Sequence, residues 1–185
     1  MDKKEKILQA ALKLFITVGF DGTSTSKIAA QADVSNGTLF HYFKTKEELI
    51  NKLFLKAKND YREYILNNMK SSKNTKGKIF EFWSACLEWI FNNPESIAFY
   101  DMFSSSPYID KLTIEEASRG FDLVDQMIME GIENESLTDA PVELISGYIY
   151  ASINSFKYYK QNNPDQADEY KELAFKMLWR SIANF

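Results

Sequence analysis

The stretch TSTSKIAAQADVSNGTLFHYFKTKEEL, residues 23–49, decides how the rest of the chain is read. It opens on Thr23, Ser24 and Thr25, side chains that cap a helix by accepting from its unpaired backbone N–H groups. The short helix that follows places Ile28, Ala29 and Ala32 on one apolar face, and Ala29 is small enough for a second helix to cross closely over it. Asp33, Val34 and Ser35 then make a tight corner. Asp33 stands where a left-handed backbone is needed, a conformation that Asp tolerates and Gly adopts more readily. Val34 is the expected apolar plug of that corner.

Ser35 is placed to cap a second helix, on which Leu39 and Phe43 face inward at an i, i+4 spacing. The opposite face carries Asn36, Gly37, Thr38, Phe40, His41 and Tyr42. Cap, small residue, corner and second helix in this order predict a helix-turn-helix, a motif whose second helix enters the DNA major groove. The alternative, an ordinary helical hairpin in an all-α protein, fits the same periodicity but not the register of cap, corner and Tyr42-Phe43 ending.

At these residues the chain resembles the DNA-binding domain of the TetR family of transcriptional regulators. The resemblance rests on Phe15, Gly19-Phe20, Thr23, Ile28-Ala29, Ala32, Val34-Ser35, Gly37-Thr38, Phe40, Tyr42-Phe43, Lys46-Glu47 and Leu49, in order and without gaps from about Lys6 to Leu49. Two residues depart from the pattern: Asp33 replaces the usual turn Gly, and Phe40 stands where Tyr is common. The missing hydroxyl removes a polar contact at Phe40. The resemblance covers about the first quarter of the chain.

Charge is distributed as this reading requires. The whole sequence carries −4, but residues 1–58 carry +4 and residues 59–185 carry −8. Positive charge therefore lies on the part expected to face phosphates. A length of 185 residues with 45% hydrophobic residues supports a sizeable core. No apolar run is long enough to span a bilayer and the first residues lack a signal-peptide cleavage pattern, so a soluble, cytoplasmic protein with no membrane partner is expected. The single cysteine, Cys86, sits among Trp83, Leu87 and Trp89 and reads as a buried structural thiol. One histidine leaves no metal-ligand cluster, and no metal or cofactor is expected.

Outward from the helix-turn-helix, Lys3 to Val18 shows Ile7, Ala11, Leu14, Phe15 and Val18 on a helical stripe that ends at Gly19. Thr45 and Glu48 form a capping-box pattern for a long helix reaching about Met69. Lys70 to Lys78 reads as a polar loop. Helices are predicted from Ile79 to Asn92, from Pro94 with Asn93 as cap, across Phe121 to Ile132, from Val142 to about Gln161, and from Asp165 to about Ala183. The expected fold is all-α with about nine helices. It comprises a three-helix helix-turn-helix DNA-binding domain, residues 1–46, and a C-terminal helical ligand-binding and dimerisation domain, residues 47–185.

The expected DNA contacts are Asn36 and Thr38 at base edges, Gly37 through close backbone approach, and His41 and Tyr42 at phosphate or sugar, with Ser35 at the helix start. Thr25 and Lys46 match family positions that hold phosphate at helix N-termini. Both final helices have apolar faces wide for the end of a small domain, and the resemblance implies that they pair with the same helices of a second subunit in a homodimer. Trp83, Phe99, Tyr100, Phe103, Phe121 and Tyr148 are core-type residues that also suit an apolar pocket between bundle helices. The resemblance implies a repressor that leaves double-stranded DNA at a palindromic operator when a small apolar or amphipathic effector binds. Two other classes compete. An enzyme would need a phosphate loop, a metal spacing or a nucleophile-base set, none of which is present; a DNA-binding architectural or cell-division protein on the same fold would need no effector.

Overall fold

The computed structural model describes residues 2–69, 72–104, 106–108 and 122–184. Among the described residues there are nine helices: α1 (Lys3–Gly22), α2 (Thr25–Gln31), α3 (Asn36–Tyr42), α4 (Lys46–Asn68), α5 (Thr75–Asn92), α6 (Pro94–Ser104), α7 (Asp122–Glu133), α8 (Val142–Asn162) and α9 (Ala167–Ile182). No strand occurs among them, only an isolated bridge between Leu137 and Ala183. The all-α expectation holds. Phe121 lies outside the described residues.

The chain forms two compact units, residues 1–60 with 93–118, and residues 61–92 with 119–185. The sequence reading divides the chain at 46/47. The compact units instead part within α4, and α6 joins the N-terminal unit. The reason is packing: Phe99 and Phe103 of α6 are fully buried in the same core as Ile7, Ala11, Phe15, Ile28, Leu39 and Leu49. Periodicity along α6 shows that these rings are buried but not which helices bury them.

Within the first unit, Asp2 caps α1 by accepting from the Glu5 N–H at 3.0 Å. Gly19, at φ 81 and ψ 168, breaks the helical path as expected, and one further turn follows to Gly22. The broken path turns Phe20 inward, where its ring meets Phe15 at 5.1 Å and Phe99 at 5.9 Å. Thr23 is corrected from a cap to a staple. It is 1% exposed, and its hydroxyl donates to the Gly19 carbonyl at 2.8 Å, while Ser24 caps α2.

The corner between α2 and α3 follows the sequence reading closely. Asp33 has φ 54. Its N–H donates to the Ala30 carbonyl at 3.2 Å and that of Val34 to the Ala29 carbonyl at 3.0 Å, the two bonds of a Schellman ending. Val34 is half-buried against the first core. Because an L-residue pays sterically for a left-handed backbone and the Asp33 side chain is exposed, Asp33→Gly should raise stability by about 0.5–1 kcal/mol. Chemical denaturation checks this, and an unchanged or lowered midpoint contradicts it.

In the second unit the stretch expected to be a loop to Lys78 is already helical from Thr75. Asn74 starts the helix early by accepting from the Gly77 N–H at 2.7 Å. The core collects Trp83 and Cys86 from α5, Val124 and Ile128 from α7, Ile145, Ile149, Ile153 and Phe156 from α8, and Phe175, Leu178 and Ile182 from α9. Gly131 lets α7 approach closely, since a Cβ there would stand 2.5 Å from Leu137 and 2.7 Å from Thr75.

Cys86 is buried as expected. Burial pushes its thiol up to about 12, against a smaller opposing effect of the Tyr61 hydroxyl, which donates to Sγ at 2.9 Å. The thiolate is the reactive form. Iodoacetamide at mildly alkaline pH should therefore label Cys86 only after denaturant is added, and rapid labelling of the native protein would contradict this burial.

Candidate nucleic-acid interface

The interface is built on α3. Ser35 caps it, accepting from the Thr38 N–H at 3.1 Å, and the two hydroxyls lie 3.0 Å apart. Leu39 at 0% and Phe43 at 1% exposure anchor the helix in the first core. Ile28 and Ala29 of α2 are buried in that same core. Anchoring one side at i and i+4 leaves the other side to solvent. Asn36, Gly37, Phe40, His41 and Tyr42 are exposed, and Thr38 is half-exposed. His41 and Tyr42 meet edge to face at 5.3 Å.

Hydrogen bonding separates the expected DNA contacts into two groups. The Ser35 and Thr38 hydroxyls are engaged with each other and with the cap. A Cβ at Gly37 would stand 3.7 Å from Ser35 Oγ, an ordinary contact, and Gly37 is exposed, so close approach from the solvent side is open. Thr25 is the first residue of α2 and half-exposed.

Three lysines surround α2 and α3 with their ammonium groups on backbone carbonyls: Lys27 on Gly22 at 3.2 Å, Lys44 on Phe40 at 3.4 Å, and Lys46 on Phe20. An ammonium has three donors, so each retains hydrogen-bonding capacity for a phosphate. The tether of Lys46 to Phe20, 26 residues earlier, is a feature the sequence does not signal. Thr45 and Glu48 cap α4. Glu48 N–H donates to Thr45 Oγ1 at 3.0 Å, and the Glu48 carboxylate accepts from Lys44 N–H at 2.7 Å, one residue before the position of a standard capping box.

The other predicted site residues do not share one environment. Trp83 is fully buried in the second core, donating from Nε1 to Ser152 Oγ at 2.9 Å. Phe99 and Phe103 belong to the first core. Tyr100 is 37% exposed, stacked on Phe54 at 5.7 Å with Lys58 5.3 Å above its ring. Tyr148 is 51% exposed on α8. It shares that exposure with Leu144 on α8 and with Leu173 and Met177 on α9. A crevice of about 260 Å³ in the first unit is lined by Lys6, Gln9, Lys13, Gln31 and Asp33, none of which the sequence reading assigns to DNA or effector binding. No group of metal-ligating side chains and no helix long and apolar enough to cross a membrane occurs among the described residues.

A capped second helix anchored at i and i+4, a polar outer face and lysines at its borders define a helix-turn-helix DNA-binding protein. The sequence profile of the bacterial regulatory proteins of the tetR family matches residues 7–53, from the second turn of α1 to the first half of α4. A crystal structure of a TetR-family transcription regulator from Shewanella sp. PV-4 is 31% identical, covers 100% of both chains and superposes with a TM-score of 0.89. The chain is also similar to the fatty acid metabolism regulator protein of Bacillus subtilis, 25% identical over 156 residues, 82% of this chain and 80% of that one. The structure of FadR from Bacillus subtilis in complex with stearoyl-CoA shares the fold with a TM-score of 0.79 at 21% identity, over 94% of this chain and 96% of that one. The chain belongs to the TetR family of transcriptional regulators. It is a DNA-binding regulator rather than an enzyme.

Proposed function

We propose that the protein acts in the cytoplasm as a homodimeric repressor. It holds a palindromic operator through two copies of α3 and is released by a small apolar or amphipathic effector. Residues 1–46 act as the DNA-binding domain and residues 47–185 as the regulatory and dimerisation domain. The observation that carries the reading is the outer face of α3, on which Asn36, His41 and Tyr42 stand exposed while Leu39 and Phe43 fix the helix from behind. Asn36 and Thr38 read base edges, Gly37 admits the backbone, and Thr25, Ser35, His41, Tyr42 and Lys46 hold the phosphate backbone.

The dimer reading rests on α8 and α9. Each helix divides its apolar residues between two sides. Ile145, Ile149, Ile153 and Phe156 on α8, with Phe175, Leu178 and Ile182 on α9, are buried. Leu144, Tyr148 and Tyr158 on α8 and Tyr170, Leu173 and Met177 on α9 are 41–70% exposed. Large apolar side chains exposed on two successive helices suit an interaction surface, and a twofold pairing of the two helices with their copies would cover them. Two recognition helices related by that axis read half-sites about one helical turn apart, or a small multiple.

The effector reading rests on the helical second unit, whose aromatic residues suit apolar ligands, and on the fold neighbour that holds stearoyl-CoA, an amphipathic molecule. Release follows by population shift when an effector favours a conformation in which the two α3 helices no longer match the operator.

Lys46→Ala tests the phosphate role. Affinity should fall by a similar factor for every duplex sequence, with the salt dependence of log K reduced by about one unit of slope. A loss confined to one base position, with an unchanged salt slope, would contradict it.

A further inference from the structure

Two tethers cross the same joint in the first unit, between the end of α1 and the start of α4. One is the hydrogen bond from the Lys46 ammonium to the Phe20 carbonyl. The other is Tyr108, which lies beyond the end of α6. Its hydroxyl donates to Asp21 Oδ1 at 2.9 Å, and its ring meets that of Phe20 edge to face at 5.2 Å. Its carbonyl accepts from Asn51 Nδ2 on α4 at 3.0 Å. Tyr108 therefore grips residues 20 and 21 on one side and α4 on the other.

The α4 side of that grip is rigid. Asn51 is 8% exposed, and the same amide nitrogen also donates to the Glu47 carbonyl at 2.9 Å, one residue along from Lys46. Among the described residues its Oδ1 has no hydrogen-bond partner, and the amide nitrogen donates to both carbonyls. A buried polar group left half satisfied is costly, and bridging Glu47 to Tyr108 is what its placement achieves. The Tyr108 side is held just as firmly. The Ser106 hydroxyl donates to the Phe103 carbonyl at 2.8 Å and accepts from the Tyr108 N–H at 3.4 Å, fixing the turn to the end of α6. The hydrogen bond to the Asp21 carboxylate holds the Tyr108 phenol above its ordinary range, in keeping with the hydroxyl as donor.

We propose that Tyr108 is a positioning residue for DNA binding: it sets the α1–α4 joint at the spacing that seats Lys46 on the Phe20 carbonyl. Displacement of residues 106–108 then loosens Lys46 and weakens its hold on phosphate. This rests on Lys46 being a phosphate contact, as argued above, and adds a route by which a change at the end of α6 reaches the DNA-facing surface. The route needs no movement of α3 itself, since Phe20, Asp21, Lys46 and Asn51 all lie outside that helix.

A double-mutant cycle tests it, with sheared genomic duplex DNA at low salt as the probe. Tyr108→Ala should weaken binding about fivefold to tenfold in the wild-type background and less than about twofold in Lys46→Ala, because residues acting through one another are not additive. An equal loss in both backgrounds, or no loss in either, overturns the proposal, since a merely structural role lowers affinity regardless of Lys46. Tyr108→Phe retains the ring and the backbone carbonyl while deleting the bond to Asp21, and should show the same non-additivity with a smaller loss. It stands in if the alanine variant melts early.

A second readout needs no DNA. Reductive methylation, followed site by site by mass spectrometry, should proceed several times faster at Lys46 in both Tyr108 variants, with exposed Lys52 on the same helix as the unchanged reference. Unchanged methylation at Lys46 overturns the positioning role whatever the DNA result. Should the wild type bind no duplex DNA while methylation at Lys46 still rises, the operator-binding reading falls and the coupling between Tyr108 and Lys46 stands.

Discussion

Replacing Leu173 and Met177 together by glutamate is expected to leave a folded monomer whose affinity for a palindromic site is lower by about 10²–10⁴-fold. Leu173 and Met177 are 50% and 66% exposed in the chain on its own, so neither contributes much to folding. Exposed substitutions away from caps and networks usually change stability by no more than about 0.5 kcal/mol. In a twofold pairing of α8 and α9 the same residues would be buried against a second copy, and an unpaired carboxylate there carries a large desolvation cost. The dimer should therefore dissociate without unfolding. Each monomer would then hold one half-site alone and lose the effective concentration that couples the two binding events, which accounts for the size of the effect. Light scattering at micromolar concentration should give twice the chain mass of 21.4 kDa for the wild type and the single mass for the variant. Equal masses for the two proteins would remove the α8–α9 face from the assembly.

The second large effect is on stability. Trp83→Ala should cost about 3–5 kcal/mol, because the indole is fully buried and packs against Phe156 at 5.5 Å and Phe175 at 5.8 Å. The variant also strips Ser152 Oγ of the donor it accepts at 2.9 Å, leaving a half-buried hydroxyl less well satisfied. For a chain of this length each kcal/mol shifts Tm by about 2–4 °C, so the second unit should melt roughly 6–20 °C lower. Trp83→Phe keeps most of the volume and loses only the donor, and should cost less than half as much. A Tm within about 2 °C of wild type for the alanine variant would mean that the indole stands against an open cavity rather than a packed core.

The contrast between these residues explains what the sequence disclosed and what it withheld. The corner at Asp33, the cap at Ser35 and the inward pair Leu39 and Phe43 were legible because each is decided by neighbours within four residues, where backbone geometry dictates residue type. The division of α8 and α9 into a buried and an exposed apolar side was half legible. Wide apolar faces showed in the sequence, but Tyr148 and Ile149 differ by one position and only the packed core separates them: the first is 51% exposed and the second fully buried. Partnerships between distant segments left no local trace. Thr23 reads as a cap and serves as a staple to Gly19, while Lys46 reaches the Phe20 carbonyl and Phe99 and Phe103 join the first core. Each of these depends on which surface a side chain meets, and periodicity specifies only that it meets one.

The same distinction orders the residues expected on DNA. Ser35 and Thr38 are polar and correctly placed, yet their hydroxyls are already committed to each other and to the start of α3. Asn36, His41 and Tyr42 keep their side chains on the open face. In the proposed reading Asn36 is therefore expected to contribute more to base discrimination than Thr38, with Gly37 setting how closely the backbone approaches, while the Ser35–Thr38 hydroxyl pair also holds the start of α3 in shape.

The most direct test of the central claim is selection of bound fragments from sheared DNA of the source genome by the purified protein at physiological salt, followed by sequencing. Operator recognition by two copies of α3 predicts enrichment of fragments sharing one palindrome, with half-sites about one helical turn or a small multiple apart. Recovery of fragments with no shared sequence, repeated after refolding to remove any bound effector, would contradict it.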